Sequence, residues 1–288
     1  MNSSFQSAFL NWSFPPFACA ALLLTAIIYL RGWRRIRRTR PQLFPSWRLA
    51  CFLAGIFSLF IAVASPLDTL GDRLLILHMA QHFVFMSIAP PLLVLAAPSV
   101  PLLRGLPRWI VRPVFGPLLR AKWLRVFFHV LSSLRVAWLL MNLSYLAWHI
   151  PAAYEFALRH DAWHEVEHAC FFFSSLIFWW PIIQPWPTRS HQSRWFLLPY
   201  LLTADIVNTI LSASLVFSGR VLYPSYAFEP RIFDIRPLSD QIAAGAFMWV
   251  MGEVVFLVPA FTITMNLLSR KKRSRYHQEP PSPHRLIA

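Results

Sequence analysis

Long apolar stretches alternate with short polar segments rich in arginine along the whole chain. A helix needs about 20 consecutive apolar residues to cross the hydrocarbon core of a bilayer. Seven stretches approach or exceed this length, at residues 14–30, 47–65, 74–96, 126–148, 163–183, 195–217 and 241–268. The pattern predicts an all-α integral membrane protein whose seven transmembrane helices form one domain over residues 1–268. A basic, proline-containing tail follows at residues 269–288.

The composition supports this class, because 57% of the residues are hydrophobic. The net charge of +15 does not indicate a nucleic-acid partner, since the basic residues lie in short runs between apolar stretches, as loop charges do. The lipid bilayer is the expected surrounding. Residues 1–14 contain no Lys or Arg, so we expect no cleaved signal peptide. The three cysteines are isolated and form no CxxC motif, which argues against thiol–disulfide exchange.

The 27 Lys and Arg residues predict the orientation of the bundle. Basic residues favour cytoplasmic loops. Most of them follow the first, third, fifth or seventh predicted span. The few on the opposite side are Arg73, Arg159, Arg220, Arg231 and Arg236, while Arg135 lies inside the fourth span. We therefore expect the N-terminus outside and the tail in the cytoplasm.

Six histidines lie at the span ends that face outside in this orientation: His78, His82, His149, His160, His164 and His168. The pairs His78–His82 and His164–His168 have i,i+4 spacing, which places both imidazoles of a pair on one helix face. Ionisable side chains within a membrane are costly and usually functional. The sequence therefore predicts a metal or haem site in the outer half of the bundle.

Two methionines extend the candidate site. Met86 shares a helix face with the first histidine pair, and Met248 lies at a similar depth in the last span. Imidazole binds Zn, Cu, Fe and Ni, and a thioether adds a preference for Cu(I). The predicted ligands are His82, His164 and His168 as the core, His78, Met86 and Met248 as auxiliaries, and His149 and His160 as further candidates.

Other polar residues are predicted to support these ligands. Glu167 could bind a metal or accept the second ring N–H of a liganding histidine. Asp240 and Gln241 begin the last span on the same side of the membrane and could orient ligands or attract a cation. The loop at residues 219–239 is expected to pack over the site as a lid or to dock a partner.

Three charged residues fall near the predicted bilayer midplane: Arg135, Asp205 and Glu253. An unpaired charge at this depth would cost several kcal/mol, so pairing is expected. We predict a structural bridge between arginine and carboxylate. A proton or ion relay is the alternative, and it would suit a transporter.

Three sequence blocks resemble a known family in their order and spacing. They are HMAQHFVFMSIAPPLLVLAAP, WHIPAAYEFALRHDAWHEVEHACFFFSSLIFWWPI and DQIAAGAFMWVMGE. They look like the multi-spanning CtaG-type cytochrome c oxidase assembly factors. The family motif carries over to His78, Gln81, His82, Trp148, His149, Pro151, His164, Glu167, His168, Asp240, Gln241, Met248 and Trp249.

The resemblance implies a protein of the bacterial inner (cytoplasmic) membrane that matures a haem-copper oxidase by delivering copper. It also implies that the protein is not an enzyme, and that its partners are cytochrome c oxidase subunits or other copper chaperones. The residues themselves leave alternatives open. A b-type haem could be held between His82 and His168, or copper or protons could be transported. An enzyme with a metal-activated water ranks last, since no nucleophile or substrate pocket is evident.

Overall fold

The computed structural model describes residues 12–188, 193–228 and 235–278. These residues form helices joined by short turns, and no β-strand occurs within them. The α-helices are α1 (Pro16–Arg37), α2 (Ser46–Ala64), α3 (Pro66–Gly71), α4 (Leu75–Phe83), α5 (Ala89–Leu95), α6 (Ser99–Gly105), α7 (Arg108–Ile110), α8 (Gly116–Arg120), α9 (Lys122–Leu131), α10 (Leu134–Trp148), α11 (Pro151–Leu158), α12 (Asp161–Ile183), α13 (Leu197–Phe217), α14 (Ser225–Phe228) and α15 (Pro237–Gln278). π-Helical turns at Val84–Ile88 and Val111–Phe115 and a 3₁₀ turn at Arg194–Phe196 complete the described elements.

Six helical segments are long and apolar enough to cross a membrane: Pro16–Arg37, Ser46–Ala64, Leu75–Leu95, Asp161–Ile183, Arg194–Phe217 and Pro237–Ser269. The number rises to seven if α9 and α10, which meet at an angle of 64°, form one broken span. The predicted all-helical membrane class is confirmed for the described residues. The count of seven and the orientation stay predictions.

The bend between α9 and α10 has a local cause at Ser132 and Ser133. The Ser132 hydroxyl donates to the carbonyl of Phe128 at 2.7 Å, and the Ser133 hydroxyl donates to that of Val130 at 2.6 Å. Serine side chains that bind nearby carbonyls compete with the helical hydrogen bonds and favour a break. The stretch predicted as one span over 126–148 therefore consists of two helices.

Two helices extend beyond the apolar runs that predicted them. α1 continues to Arg37, past the predicted end at residue 30, and α15 continues to Gln278, into the predicted tail. Arginine and lysine are good helix formers, so a helix need not end where its hydrophobic run ends. Residues 279–288 of the tail lie outside the described residues.

Pro90 explains the π-helical turn in the third span. Proline has no backbone N–H, so the carbonyl of Met86, four residues earlier, loses its usual helical donor. The helix widens into the turn at Val84–Ile88, and the indole N–H of Trp179 in α12 donates to the Met86 carbonyl at 3.2 Å. This contact ties α12 to the middle of the third span.

The span Leu75–Leu95 separates two contrasting ends of the bundle. The histidine end comprises α3, α4, α11, α14 and the first turns of α12. The arginine end comprises α6 to α9 and their connections. At the histidine end, α4 packs against both α3 and α15, while α12 packs against α10, α11 and α5. The π-helical turn that follows α4 also packs against α12, which brings the two histidine-bearing helices close together.

Candidate metal centre

Four histidines from two helices meet at the histidine end. His78 and His82 come from α4, and His164 and His168 come from α12. One ring nitrogen of each lies within 4.8 Å of a ring nitrogen of every other. The ring centroids are 4.3 Å apart for His78 and His82, 4.2 Å for His164 and His168, and 5.2 Å for His78 and His164. We call this group the four-His cluster; it includes His78, which was predicted only as an auxiliary ligand.

The ring nitrogens of the cluster are available to a cation. Each of the four histidines leaves at least one nitrogen buried without a hydrogen-bond partner among the described residues. Such orphaned groups cost free energy, and a bound ion would remove that cost. A tetrahedral ion with metal–nitrogen bonds of about 2.0 Å needs nitrogens about 3.3 Å apart, so small side-chain rotations would complete the geometry. The donor set therefore fits a transition-metal ion.

Glu167 lies beside the cluster, as its position near His164 in α12 predicted. Its Oε1 is 3.8 Å from Nε2 of His82, and the residue is only 1% exposed. A buried carboxylate at this distance can offset the charge of a cation or orient a liganding imidazole. Its Oε1 has no hydrogen-bond partner within the described residues.

Asp240 positions the helix that carries the first histidine pair. The backbone N–H of Leu75 donates to Asp240 Oδ2 at 2.6 Å, and that of Ile76 donates to Oδ1 at 3.2 Å. Free N–H groups at a helix start need acceptors, and a negative charge there interacts favourably with the positive end of the helix dipole. Asp240 in α15 thereby fixes the start of α4, one turn before His78.

Two glutamines from the predicted motif bind backbone and connecting segments. The side-chain N–H₂ of Gln81 donates to the carbonyl of Ala62 at 2.9 Å and to Asp68 Oδ1 at 2.7 Å. Gln241 accepts from the N–H of Leu222 at 2.6 Å and donates to the carbonyl of Leu215 at 3.1 Å. These contacts hold α3 and the segment after α13 against the site.

The described part of the 219–239 loop packs over the histidine end. The Tyr223 hydroxyl donates to the carbonyl of His149 at 2.9 Å, and the Tyr226 hydroxyl donates to that of Gly71 at 3.2 Å. Glu155 in α11 accepts from both the N–H and the hydroxyl of Ser225, at 3.0 and 2.5 Å. This covering role agrees with the predicted lid; residues 229–234 lie outside the described part.

An acidic pocket of about 470 Å³ adjoins the cluster on its exposed side. Its lining includes Asp68, Asp72, Asp161 and Glu165 together with His164 and His168. Asp72, Asp161 and Glu165 are exposed, whereas His168 is buried. Burial raises the pKa of the Asp68 carboxyl, against the opposing effect of the Gln81 hydrogen bond. The pocket therefore places carboxyl groups at the protein surface beside His164 and His168.

The remaining predicted ligands lie elsewhere. His149, Met86 and Met248 line a separate cavity that His82 also borders. His160 is exposed at the start of α12, and its Nδ1 pairs with the carbonyl of Phe156 at 2.8 Å, outside the four-His cluster. The eight predicted ligands therefore fall into a nitrogen cluster, a neighbouring cavity and one surface residue.

The predicted bridge between Arg135 and a carboxylate is wrong for the described residues. Arg135 is exposed in the first turn of α10, beside the bend, and no ion pair joins it to a described carboxylate. Asp205 is buried, and Glu253 on α15 accepts from the hydroxyl of Thr209 at 3.4 Å. The prediction failed because the broken helix moves Arg135 from mid-span to a helix start.

Sequence reasoning missed Asp68, Tyr154 and Met141. Tyr154 lies 5.2 Å from His78 between ring centroids, and its hydroxyl pairs with that of Tyr226 at 2.8 Å. One signal was present for Met141, since it precedes Tyr145 and His149 at spacings of four residues and therefore shares their helix face. Nothing in the sequence linked Asp68 or Tyr154 to the histidines, because their proximity depends on how α3 and α11 pack.

The comparisons with known proteins give one family and a few relatives. The model of the cytochrome c oxidase caa3 assembly factor family matches residues 27–270. An uncharacterized protein of Mycobacterium leprae is 24% identical over 265 residues, which cover 87% of this chain and 38% of the relative. Uncharacterized proteins of Mycobacterium bovis and Mycobacterium tuberculosis are each 27% identical over 291 residues, covering 95% of this chain and 42% of the relative. The chain thus spans about two fifths of the length of these relatives, and no solved structure matches it.

Proposed function

Since this chain belongs to the cytochrome c oxidase caa3 assembly factor family, we propose that it binds copper at the four-His cluster and delivers it to the oxidase. The observation that carries the proposal is the meeting of four buried histidines whose ring nitrogens lack partners. In this proposal the protein is a metallochaperone of the bacterial inner membrane and not an enzyme. Copper is its cargo, and oxidase subunits or other copper chaperones are its partners.

The donor chemistry favours copper over the other ions that imidazole accepts. For a given nitrogen site, affinity among divalent first-row metals rises to a maximum at Cu²⁺. Glu167 places a carboxyl oxygen 3.8 Å from His82, and the rest of the donor set is imidazole nitrogen, which suits copper. The three cysteines, Cys19, Cys51 and Cys170, form no disulfide within the described residues, and none of them belongs to the four-His cluster.

The surroundings suit capture and release rather than permanent storage. The acidic pocket at Asp68, Asp72, Asp161 and Glu165 adjoins His164 and His168 and attracts cations. In the proposed orientation, with the N-terminus outside, this pocket opens to the outer face of the membrane. An ion held there would be accessible to a partner that docks on the same face.

The packing of the imidazoles supports an ion over the haem alternative. The His82 and His168 ring centroids are 5.4 Å apart, and His168 stacks on Phe85 while His82 contacts Phe171. Two axial ligands of a haem must face each other across a flat slot that admits the whole porphyrin. The short contacts with Phe85 and Phe171 pack both imidazoles against neighbouring rings, which disfavours such a slot between them.

The test is copper binding by the detergent-purified protein, with His78→Ala/His168→Ala beside His160→Ala as a matched control. We expect wild type and the control to bind Cu²⁺ with nitrogen hyperfine structure in the electron paramagnetic resonance spectrum. The double variant should lose this signal, and cells carrying it should lose oxidase activity.

Three outcomes would contradict the proposal. A Soret band that disappears in the double variant would make the same histidines haem ligands. Copper flux into vesicles that is abolished by Asp205→Asn would indicate a transporter. Normal copper binding and oxidase maturation in the double variant would show that the four-His cluster has no role in the function.

A further inference from the structure

A second cavity lies next to the four-His cluster, between α4, α10, α13 and α15, and it is rich in sulfur. Its volume is about 50 Å³, and Met79, Met86, Met141 and Met248 line it. The whole chain contains seven methionines, so this one small cavity gathers more than half of them. All four are buried, with at most 7% of their surface exposed. They come from three different membrane-spanning segments.

The polar side chains of this cavity engage one another. The Tyr145 hydroxyl donates to Asn208 Oδ1 at 2.9 Å, and the Asn208 side-chain N–H₂ donates to the carbonyl of Met248 at 3.3 Å. Asn208 packs directly over Gly252, where a Cβ atom would collide with its amide nitrogen. With Tyr145 and Asn208 bound to each other and to the backbone, the thioethers and the histidines bordering the cavity are its soft electron-pair donors.

His149 adds one nitrogen with a fixed orientation. Its Nδ1 lies 2.7 Å from the carbonyl of Tyr145, which can only accept, so Nδ1 carries the proton in the neutral ring. Nε2 then bears the lone pair; it is buried and has no hydrogen-bond partner within the described residues. His149 is 3% exposed and lines the cavity. A backbone hydrogen bond on one ring nitrogen that fixes the lone pair on the other is typical of metal-ligating histidines.

We propose that this cavity is a second metal site, selective for the monovalent soft cation Cu(I), whose ligands are the thioethers of Met86, Met141 and Met248 and Nε2 of His149. Thioether sulfur and neutral imidazole suit Cu(I) and not hard divalent ions. This second site depends on the proposed copper function only for the identity of the metal that it binds in the cell. His82 borders the cavity and belongs to the four-His cluster, and its ring centroid is 6.1 Å from that of His149. The protein would therefore hold copper at neighbouring nitrogen and sulfur sites.

The alternative is that the methionines only fill an irregular core, which is their commonest role. The two readings predict different results with Ag⁺, a redox-inert monovalent probe of thioether sites. The double variant Met86→Leu/Met248→Leu removes two sulfurs and nearly preserves side-chain volume, so the packing should survive. Met265→Leu on α15 is the matched control, since Met265 is 49% exposed and lies outside the cavity.

The measurement is Ag⁺ affinity together with X-ray absorption of the silver-loaded, full-length protein in detergent. We expect sulfur neighbours around silver in wild type and in Met265→Leu. Met86→Leu/Met248→Leu keeps only the Met141 thioether of the proposed ligands, so the sulfur signal should decrease and Ag⁺ binding should weaken at least tenfold. Cu²⁺ binding at the four-His cluster should be unchanged, which also shows that the variant is folded. Met141→Leu, a single and milder change, should weaken Ag⁺ binding in the same direction.

The outcomes separate this site from the four-His cluster. Ag⁺ binding that is equal in wild type and in both methionine variants overturns the inference, and so does silver with only nitrogen neighbours. The variant His78→Ala/His168→Ala should keep the silver–sulfur signal. If wild type binds no Cu²⁺ yet binds Ag⁺ through sulfur, the sulfur site stands and the proposed four-His function fails.

Discussion

The histidine end and the arginine end of the bundle differ in burial: polar side chains are buried at the first, whereas three helices of the second are exposed. At the histidine end, Gln81 and Glu167 are each 1% exposed, and Asp240 of α15, which binds the start of α4, is 4% exposed. At the arginine end, α7, α8 and α9 contain no buried residue at all. Trp123, for example, is 67% exposed there.

The difference shows where sequence changes should matter. A buried polar group that loses its partner costs about 1–3 kcal/mol. An exposed charged or aromatic residue away from such contacts usually changes stability by about 0.5 kcal/mol or less. The histidine end should therefore be sensitive to single conservative changes, and the arginine end should tolerate them. Three predictions test this contrast, beginning with the largest expected effect.

The strongest test at the histidine end is Asp240→Ala. It removes the acceptor of two backbone N–H groups at the start of α4. We expect the free energy of unfolding in detergent to fall by about 2–3 kcal/mol, and copper binding to weaken because His78 and His82 lose their support. Asp161→Ala, at an exposed acidic residue in the first turn of α12, is the control. Equal unfolding midpoints for the two variants would show that Asp240 does not hold this helix.

A smaller effect is expected from Gln81→Met. The change nearly preserves volume and removes hydrogen bonds to the carbonyl of Ala62 and to Asp68. We expect a loss of about 1–2 kcal/mol, measured by denaturant titration of the purified protein. Ser214→Ala is the control, because its exposed hydroxyl binds only a carbonyl of its own helix. A Gln81→Met protein as stable as this control would mean that the link between α2, α3 and α4 contributes little.

The smallest effect is expected at the arginine end, from Arg108→Ala/Arg112→Ala. Neither residue is buried, and neither forms an ion pair with a described carboxylate. The change in unfolding free energy should stay within about 0.5 kcal/mol, and Cu²⁺ affinity should not change. A loss of copper binding in this variant would show that the two ends of the bundle are coupled.

The sequence predicted the helices better than their breaks. Apolar length identified the membrane helices, but it missed the bend at Ser132 and Ser133 because hydropathy is insensitive to side chains that capture backbone carbonyls. The i,i+4 spacing correctly paired His78 with His82 and His164 with His168. It could not predict that Met86 and Met248 would share a cavity with Met141, since that depends on how α10, α13 and α15 pack.

The π-helical turn at Val84–Ile88 has a geometric consequence for the whole site. Each residue of an α-helix advances the chain by about 100° around its axis, so one additional residue in a turn shifts the angular phase of everything beyond it. The turn therefore sets the angle, measured around the helix axis, between the histidines of α4 and the prolines of α5. A one-residue deletion in Val84–Ile88 would rotate one of these two faces by roughly a quarter turn and direct the imidazoles of α4 away from those of α12.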